Sequence, residues 1–584
     1  MSLSPKDTRE EADNSSSDTV LRISLVLSNS IDRSLMGSCR SILGLLVVVW
    51  ALSSVGRSSA RSEEAYVTLL YGDEFVLGVR VLGKSIRDTG SSKDMVVLVS
   101  DGVSDYAKRL LQADGWKVEL ISLLTNPNQV RPKRFWGVYT KLKIFNMTMY
   151  KKVVYLDADT IVVKNIEDLF QCRRFCANLK HSERLNSGVM VVEPSDSLFK
   201  DMMSKVNSLP SYTGGDQGFL NSFYAEFANA HLFEPNLPAD VRKSRPVPEM
   251  ERLSTLYNAD VGLYMLANKW MVDERELKVI HYTLGPIKPW DWWAAWLVKP
   301  VDVWQNVRMQ LKESLPGTGG GTNPSERLLI KFLFAFPIIV LLICYYRSCS
   351  QVNADLCNIF SRISICDYSR RFFNKYISGG GLPTYSAVGV TSSSMGNSNQ
   401  QFLNGANSKV PAYLGPISVF FCFTAALLSL GLSFIIIPRQ VTPWTGLLLT
   451  YEWTSVTFFV VFGSYLRLVY NWGRFVASQA GRAFSQMDSA NYDSGKGHQR
   501  PSSNWGSITC FYGTGMAFLA VIVPSLPFLF GISALFARLG LMIAGGVLLS
   551  IFMTYASEHL SLTAFVKGIE DRDLPRTRTI CFFC

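Results

Sequence analysis

Tyr155-Leu-Asp-Ala-Asp-Thr160 closes an apolar, strand-forming run that begins at Lys151 and stops at two carboxylates, Asp157 and Asp159, one residue apart. Alternate residues of an extended segment face the same way. The spacing therefore predicts that both acids meet one cation at the carbonyl end of a strand, where open α/β sheets place their ligands. A hard divalent ion is the natural occupant. Two acids so spaced also occur on solvated turns, facing only water, so three later segments carry weight. Leu185 to Glu193, LNSGVMVVE, reads as a small polar turn before a buried strand. Gly214 to Asn221, GGDQGFLN, sets Asp216 ahead of a helical pattern, and His281 to Trp290, HYTLGPIKPW, adds an imidazole and a lysine.

These segments, in this order, resemble the glycogenin-like family-8 glycosyltransferases from about Ala65 to about Trp290. Ala65 to Ile86 is similar to the family's opening nucleotide-binding strand and helix, and Val138 to Leu142, VYTKL, to its lysine-bearing helix. The resemblance implies an α/β domain of the Rossmann-like GT-A fold that binds a UDP-sugar and Mn²⁺. It assigns Asp157, Asp159 and His281 as metal ligands, with Ala158 between the acids. Leu69, Tyr71, Gly72 and Phe75 fall in the uridine-binding stretch. Lys141, Asn186, Ser187, Asp216 and Gln217 match sugar-facing positions, and Gly285 and Lys288 match the diphosphate clamp. HYTLG has one more residue between His281 and Gly285 than the HFLG of glycogenin, which loosens the placement of Lys288. The family's donor-binding arginine is either Arg131 or Arg134.

The residue types suit the chemistry. Cleaving the anomeric bond of a nucleotide sugar leaves a diphosphate whose growing charge a metal and a lysine stabilise without proton transfer. Imidazole with carboxylates favours Mn²⁺ over Ca²⁺. The catalytic candidates are Asp216, Gln217 and Lys288. Asp216 is the nearest candidate for a nucleophile in a retaining reaction, and equally a helix N-cap; a front-face reaction assisted by the leaving diphosphate needs no protein nucleophile. His281 outside such a motif would read as a core histidine.

At 584 residues the chain exceeds one catalytic core. Residues 1–62 read as a polar extension followed by a signal peptide or signal anchor with its apolar core at 41–55, and Met36 is a second candidate start. Residues 63–313 form the catalytic domain, 314–327 a flexible linker, 328–556 a membrane domain and 557–584 a basic cytosolic tail. Five apolar runs, about Leu328–Tyr346, Tyr413–Ile437, Trp444–Leu466, Phe511–Phe530 and Phe536–Tyr555, each approach the ~20 residues a span requires. Pro337, Pro524 and Pro527 fall inside them, which membrane helices tolerate. Basic residues follow the first, third and fifth spans, so the positive-inside bias places the catalytic domain in the lumen, with Arg439 and Arg538 as exceptions in the short lumenal loops. The formal net charge of +11 is explained by anionic lipid headgroups and needs no nucleic-acid partner.

Smaller features leave alternatives open. Cys172 and Cys176 are a disulfide in an oxidising lumen or two buried thiols. The terminal CFFC, Cys581 and Cys584, is an acylation site or a plain tail. Asn146 begins a glycosylation sequon, and residues 379–411 read as a Gly/Ser/Asn-rich disordered loop. Glu452 inside a span is a functional candidate, or a side chain reaching the interface. The pattern is compatible with a homo-oligomer.

Several spans beside a glycogenin-like pattern point to a lipid acceptor. Trp290, Trp293 and Leu297 fall at helical spacing with Trp292 and Trp296 beside them; tryptophan favours the membrane interface, although a helix packed under the catalytic domain reads the same way. The architecture, with KPWDWWAAWLVKPVDVW (Lys288 to Trp304), resembles the plant inositol phosphorylceramide glucuronosyltransferases. That resemblance implies a Golgi membrane enzyme that moves glucuronate from UDP-glucuronate to the inositol of inositol phosphorylceramide. The alternatives are a UDP-glucose or UDP-glucuronate transferase acting on a polysaccharide or protein, and a transporter or channel with a nucleotide-sugar-binding domain.

Overall fold

The computed structural model describes residues 63–127, 137–180, 183–316, 320–321, 324–350, 410–485 and 505–571. The expectations for residues 1–62, Arg131, Arg134, the 379–409 loop, Cys581 and Cys584 lie outside them. The described residues from Glu63 onward fall in one compact unit.

The α/β part is built on strands β1 (Glu64–Leu70), β2 (Asp94–Val99), β3 (Lys117–Leu120), β4 (Lys152–Leu156), β5 (Thr160–Val162), β6 (Phe175–Leu179), β7 (Leu185–Val192), β8 (His231–Leu232), β9 (Met250–Leu253), β10 (Ala259–Asp260) and β11 (Val279–His281). Eight of them make one sheet in the order β3-β2-β1-β4-β7-β6-β9-β8. The β3-β2-β1-β4 half is wholly parallel, whereas β7 runs antiparallel to both β4 and β6. Both faces are covered, so the central strands read as continuous apolar runs. This is the Rossmann-like GT-A arrangement expected from the sequence. Helix α1 (Val76–Asp88) buries Val79, Leu82 and Ile86 against one face of the sheet. A small second sheet, β10-β11-β5, grips the turn after β4.

That turn changes the reading of the two acids. Asp157 and Asp159 do not alternate along an extended strand; the chain reverses between β4 and β5, with Thr160 N–H donating to the Asp157 carbonyl at 3.0 Å. LNSG is likewise no turn, because β7 begins at Leu185 and includes it. The lysine-bearing segment is a 3₁₀ helix, Val138–Asn146.

Among the described residues five long helices follow: α4 (Pro324–Ser350), α5 (Leu414–Ile436), α6 (Pro443–Ser485), α7 (Trp505–Leu529) and α8 (Leu535–Glu570), after α2 (Asp216–Phe223) and α3 (Val301–Met309) in the catalytic part. Among the described residues four, Leu414–Ile436, Pro443–Gln479, Gly506–Leu529 and Leu535–Glu570, are long and apolar enough to cross a membrane. The expected first span lies on α4, alongside α6, where Trp453 Nε1 donates to the Leu333 carbonyl at 2.9 Å.

The expected flexible linker is docked where it is described. Arg80 Nη1 donates to the Gly320 carbonyl at 2.6 Å, and Arg308 Nε to that of Gly321 at 3.1 Å. Arg308, 1% exposed, also reaches the carbonyls of Gln440 and Val441 between α5 and α6. Burial pushes its guanidinium down to about 10, so it stays charged at neutral pH. The tryptophan segment bridges the two parts, with only Ala294–Leu297 helical. Trp290 packs edge-on against Phe75 in the catalytic core, while Trp292 stacks on Phe434 of α5 and Trp296 meets Trp444 and Phe528.

Candidate active site

Four strand ends and one helix start bring the predicted residues together. β4 delivers Asp157, the turn delivers Asp159, and His281 ends β11, whose antiparallel pairing with β5 sets it opposite Thr160. The carboxylate oxygens of Asp157 and Asp159 and a His281 ring nitrogen lie within 4.8 Å of one another. His281 Nε2 is 3.5 Å from Asp159 Oδ1 and 3.8 Å from Asp157 Oδ2.

The imidazole is oriented from behind. Asn258 Nδ2 donates to Asn186 Oδ1 at 2.8 Å, which leaves Asn258 Oδ1 to accept from His281 Nδ1 at 2.9 Å. Nδ1 therefore carries a proton, and Nε2 is the nitrogen turned toward the carboxylates, where its lone pair would meet a bound cation, as in metal-binding histidines held by an outer partner. Gly188, on β7, makes room for this ring: a Cβ there would lie 2.1 Å from His281 Cε1. Two acids, one oriented imidazole and a cradle without a side chain fit a divalent cation, and the nitrogen and oxygen donors suit Mn²⁺.

Two lysines flank the acids. Lys141 Nζ, on the 3₁₀ helix, lies 2.9 Å from Asp157 and 3.2 Å from Asp216. Burial works against its charge, but the two carboxylates outweigh it and hold its pKa above the ordinary lysine value. Lys288 Nζ lies 2.7 Å from Asp159 Oδ2. Burial opposes ionisation of Asp159, yet the hydrogen bond to His281 and the Lys288 charge hold its carboxyl below the usual carboxylate range. Tyr155 adds a donor, its hydroxyl bonding Asp157 Oδ1 at 2.8 Å.

The sugar-facing candidates form one connected rim. Asn186 Nδ2 donates to Gln217 Oε1 at 2.9 Å, and Ser187 Oγ to Asp216 Oδ2 at 2.8 Å. Asp216 is not an N-cap: Gly215 holds that position without a side-chain bond, and Asp216 is the first residue of α2. Its carboxylate turns instead to Lys141 and Ser187. From the uridine stretch, Tyr71 approaches the acids: burial first, then the Asp216 and Asp157 charges, raise its pKa. Leu69 is buried on β1, Phe75 leans on Trp290, and Gly72 abuts the Glu74 carboxylate. Ala158 is buried in the turn between the acids. Gly285 has φ +64°, a left-handed value that favours glycine.

Asn258, Gly188, Tyr155 and Asp291 also shape this candidate site, and sequence reasoning did not single them out. Asp291, fully buried, accepts from the Lys288 backbone N–H at 2.8 Å and from Arg439 Nε and Nη2 at 3.0 and 2.8 Å. Lys288 is thus tied to the loop between α5 and α6. Cys172 and Cys176, left open by sequence, form a disulfide.

Residues 66–175 match Glycosyl transferase family 8. The chain is 62% identical over 544 residues to inositol phosphorylceramide glucuronosyltransferase 1 of Arabidopsis thaliana, covering 93% of this chain and 98% of that protein. It is 31% identical over 241 residues to human glycogenin-1, covering 40% of this chain and 63% of the relative. A crystal structure of the galactosyltransferase LgtC with donor and acceptor sugar analogs aligns with 44% of this chain and 98% of its own, at 17% identity and a TM-score of 0.32. The first similarity takes in the membrane helices; the other two do not extend over the whole chain.

Proposed function

We propose that this chain, which belongs to glycosyl transferase family 8 and shares nearly its full length with an inositol phosphorylceramide glucuronosyltransferase, transfers glucuronate from UDP-glucuronate to the inositol headgroup of inositol phosphorylceramide. The observation that carries this reading is the 62% identity across 98% of that relative, membrane helices included. A bound divalent cation, Mn²⁺ on this reading, would add Lewis-acid charge at the diphosphate, held by Asp157, Asp159 and His281. Asn258 and Gly188 keep the imidazole aimed. Lys288 supplies positive charge toward the departing diphosphate, and Lys141 pairs with Asp157 and Asp216 beside the sugar. The bond between the anomeric carbon and the phosphate oxygen breaks, that between the anomeric carbon and the inositol oxygen forms, and the inositol proton passes to the leaving diphosphate. Asp216, engaged by Lys141 and Ser187, positions rather than attacks, and the configuration is retained by attack on the face the diphosphate leaves.

The same reading sets the topology. Arg439 and Gln440 between α5 and α6, and Phe528 and Arg538 on either side of the α7–α8 loop, contact the catalytic part, so α5 enters from the opposite side and, on this reading, a further crossing precedes Leu414. Helix α4 supports a fifth span there, with the catalytic domain in the Golgi lumen.

Purified protein offered UDP-glucuronate or UDP-glucose with inositol phosphorylceramide tests the proposal. UDP-glucuronate is expected to be the preferred donor, giving a glucuronosylated lipid whose formation Asp157→Ala reduces about 10²-fold, comparable to removing one electrostatic stabiliser. Absence of lipid product with either donor contradicts it.

A further inference from the structure

Directly beneath the tryptophan segment lies a cavity of about 760 Å³ among α5, α6, α7 and α8. That volume falls within the roughly 300–1,000 Å³ of ligand sites. Its wall near the catalytic part carries Trp292, Trp293 and Trp296, and its inner end Phe458 and Met553. Its extent follows from the helices. The lining runs from Phe434 back to Ala426 on α5, eight residue steps, and from Trp444 to Phe459 on α6, fifteen steps. At about 1.5 Å per residue these stretches are roughly 12 and 22 Å long. Half of a ~30 Å hydrocarbon core is about 15 Å. The cavity therefore runs from the catalytic side through about one leaflet.

Three features distinguish it from a gap for bulk lipid. It opens beside the reaction: Trp292 follows Asp291, which holds the Lys288 backbone, and Lys288 pairs with Asp159. A positive charge marks that end, where Arg538 stacks over Phe528 and donates to the carbonyls of Ile532 and Trp296. The Nε1 of Trp292, a residue only 3% exposed, has no hydrogen-bond partner among the described residues. A buried indole N–H normally finds an acceptor, and an apolar chain with an amide or hydroxyl near its polar end supplies one.

We propose that this cavity is the acceptor-chain subsite: it takes a hydrocarbon chain of the two-chain anionic lipid whose headgroup enters the active site. The inference rests on the lipid-acceptor reading above. The chain holds the lipid in register while the tryptophans and Arg538 set the depth of its headgroup. Affinity for the acceptor then grows with chain length, because each buried methylene adds to binding.

The test uses the full-length protein in detergent or nanodiscs. An inositol phosphorylceramide carrying a photoreactive diazirine at its chain end should crosslink to α6, α7 or α8 near Phe458 and Met553. Unlabelled inositol phosphorylceramide should compete and phosphatidylcholine should not. Ala520→Trp, which fills the cavity, should raise KM for the long-chain acceptor at least about 10-fold and erase the preference for long over short chains, while UDP binding by calorimetry reports the integrity of the catalytic part. Equal competition by phosphatidylcholine, or an unaltered chain-length preference in Ala520→Trp, overturns the subsite while lipid glycosylation persists. If the wild-type protein glycosylates no lipid at all, the acceptor reading itself falls, and the subsite with it.

Discussion

Gly188→Ala is a one-methyl probe of the metal site. The added Cβ would lie 2.1 Å from His281 Cε1 and 2.6 Å from Nδ1. Non-bonded carbons settle near about 3.5 Å, so the ring must retreat by roughly 1.4 Å or turn away from Asn258. Gly188 is not among the positive-φ glycines, so alanine meets no backbone penalty and the effect is steric. Coordination tolerates only about 0.2 Å of misplacement, and a 1 Å error at an active site can cost about 10²-fold. We expect kcat/KM to fall about 10²-fold, equivalent to about 2.7 kcal/mol, and Mn²⁺ affinity to weaken about 10- to 100-fold, the scale seen on losing an outer partner. Overpacking should cost about 1–3 kcal/mol of stability. Activity titrated against Mn²⁺, with calorimetric metal binding, reads both effects, and excess metal should partly restore turnover. Wild-type metal affinity with activity within about 3-fold would refute the assignment of His281.

Lys141→Met should leave the buried Asp216 and the half-buried Asp157 without their cation, a loss of about 3–5 kcal/mol; chemical denaturation should show it larger in EDTA than in Mn²⁺. Arg439→Ala and Asp291→Asn should be non-additive in kcat/KM, with a coupling of about 1–2 kcal/mol in a double-mutant cycle. Asp260, bonded to Lys180 at 2.8 Å, has a lowered pKa: burial opposes the shift, but the Lys180 charge and its hydrogen bond prevail. A depressed carboxyl contributes stability above its unfolded value of about 3.9, and that contribution is lost as pH falls through the lower folded value. Thermal melts should therefore place Asp260→Asn below wild type at neutral pH, with the two converging only in more acid solution than an ordinary aspartate requires. Non-reducing tryptic digestion should cut after Arg173 and Arg174 yet leave the flanking peptides joined through Cys172 and Cys176; separated peptides would contradict the disulfide.

The parts legible in the sequence were those written in contiguous segments. Asp157, Asp159, His281, Lys288 and the Lys141 segment each announce a residue type beside a strand or turn, and the structure assembles them. Local periodicity failed where the sheet decides. LNSG has turn composition, but pairing with both β4 and β6 holds it extended, and the acids converge through a reversal rather than through alternation. Gly188 and Asn258 were invisible because each matters only through a ring nearly a hundred or about twenty residues away. The same holds for Arg439: charge bias read it as an exception to a topology rule, whereas burial of Asp291 supplies its reason. The linker looked loose because glycine-rich composition says nothing of Arg80 and Arg308 waiting for its carbonyls.

Anomalous scattering from Mn²⁺ in crystals or microcrystals of the protein with UDP measures the central claim most directly. The account predicts one strong manganese peak within bonding distance of Asp157, Asp159 and His281 Nε2 and against the diphosphate. A UDP-filled pocket with no manganese among those three side chains would contradict it.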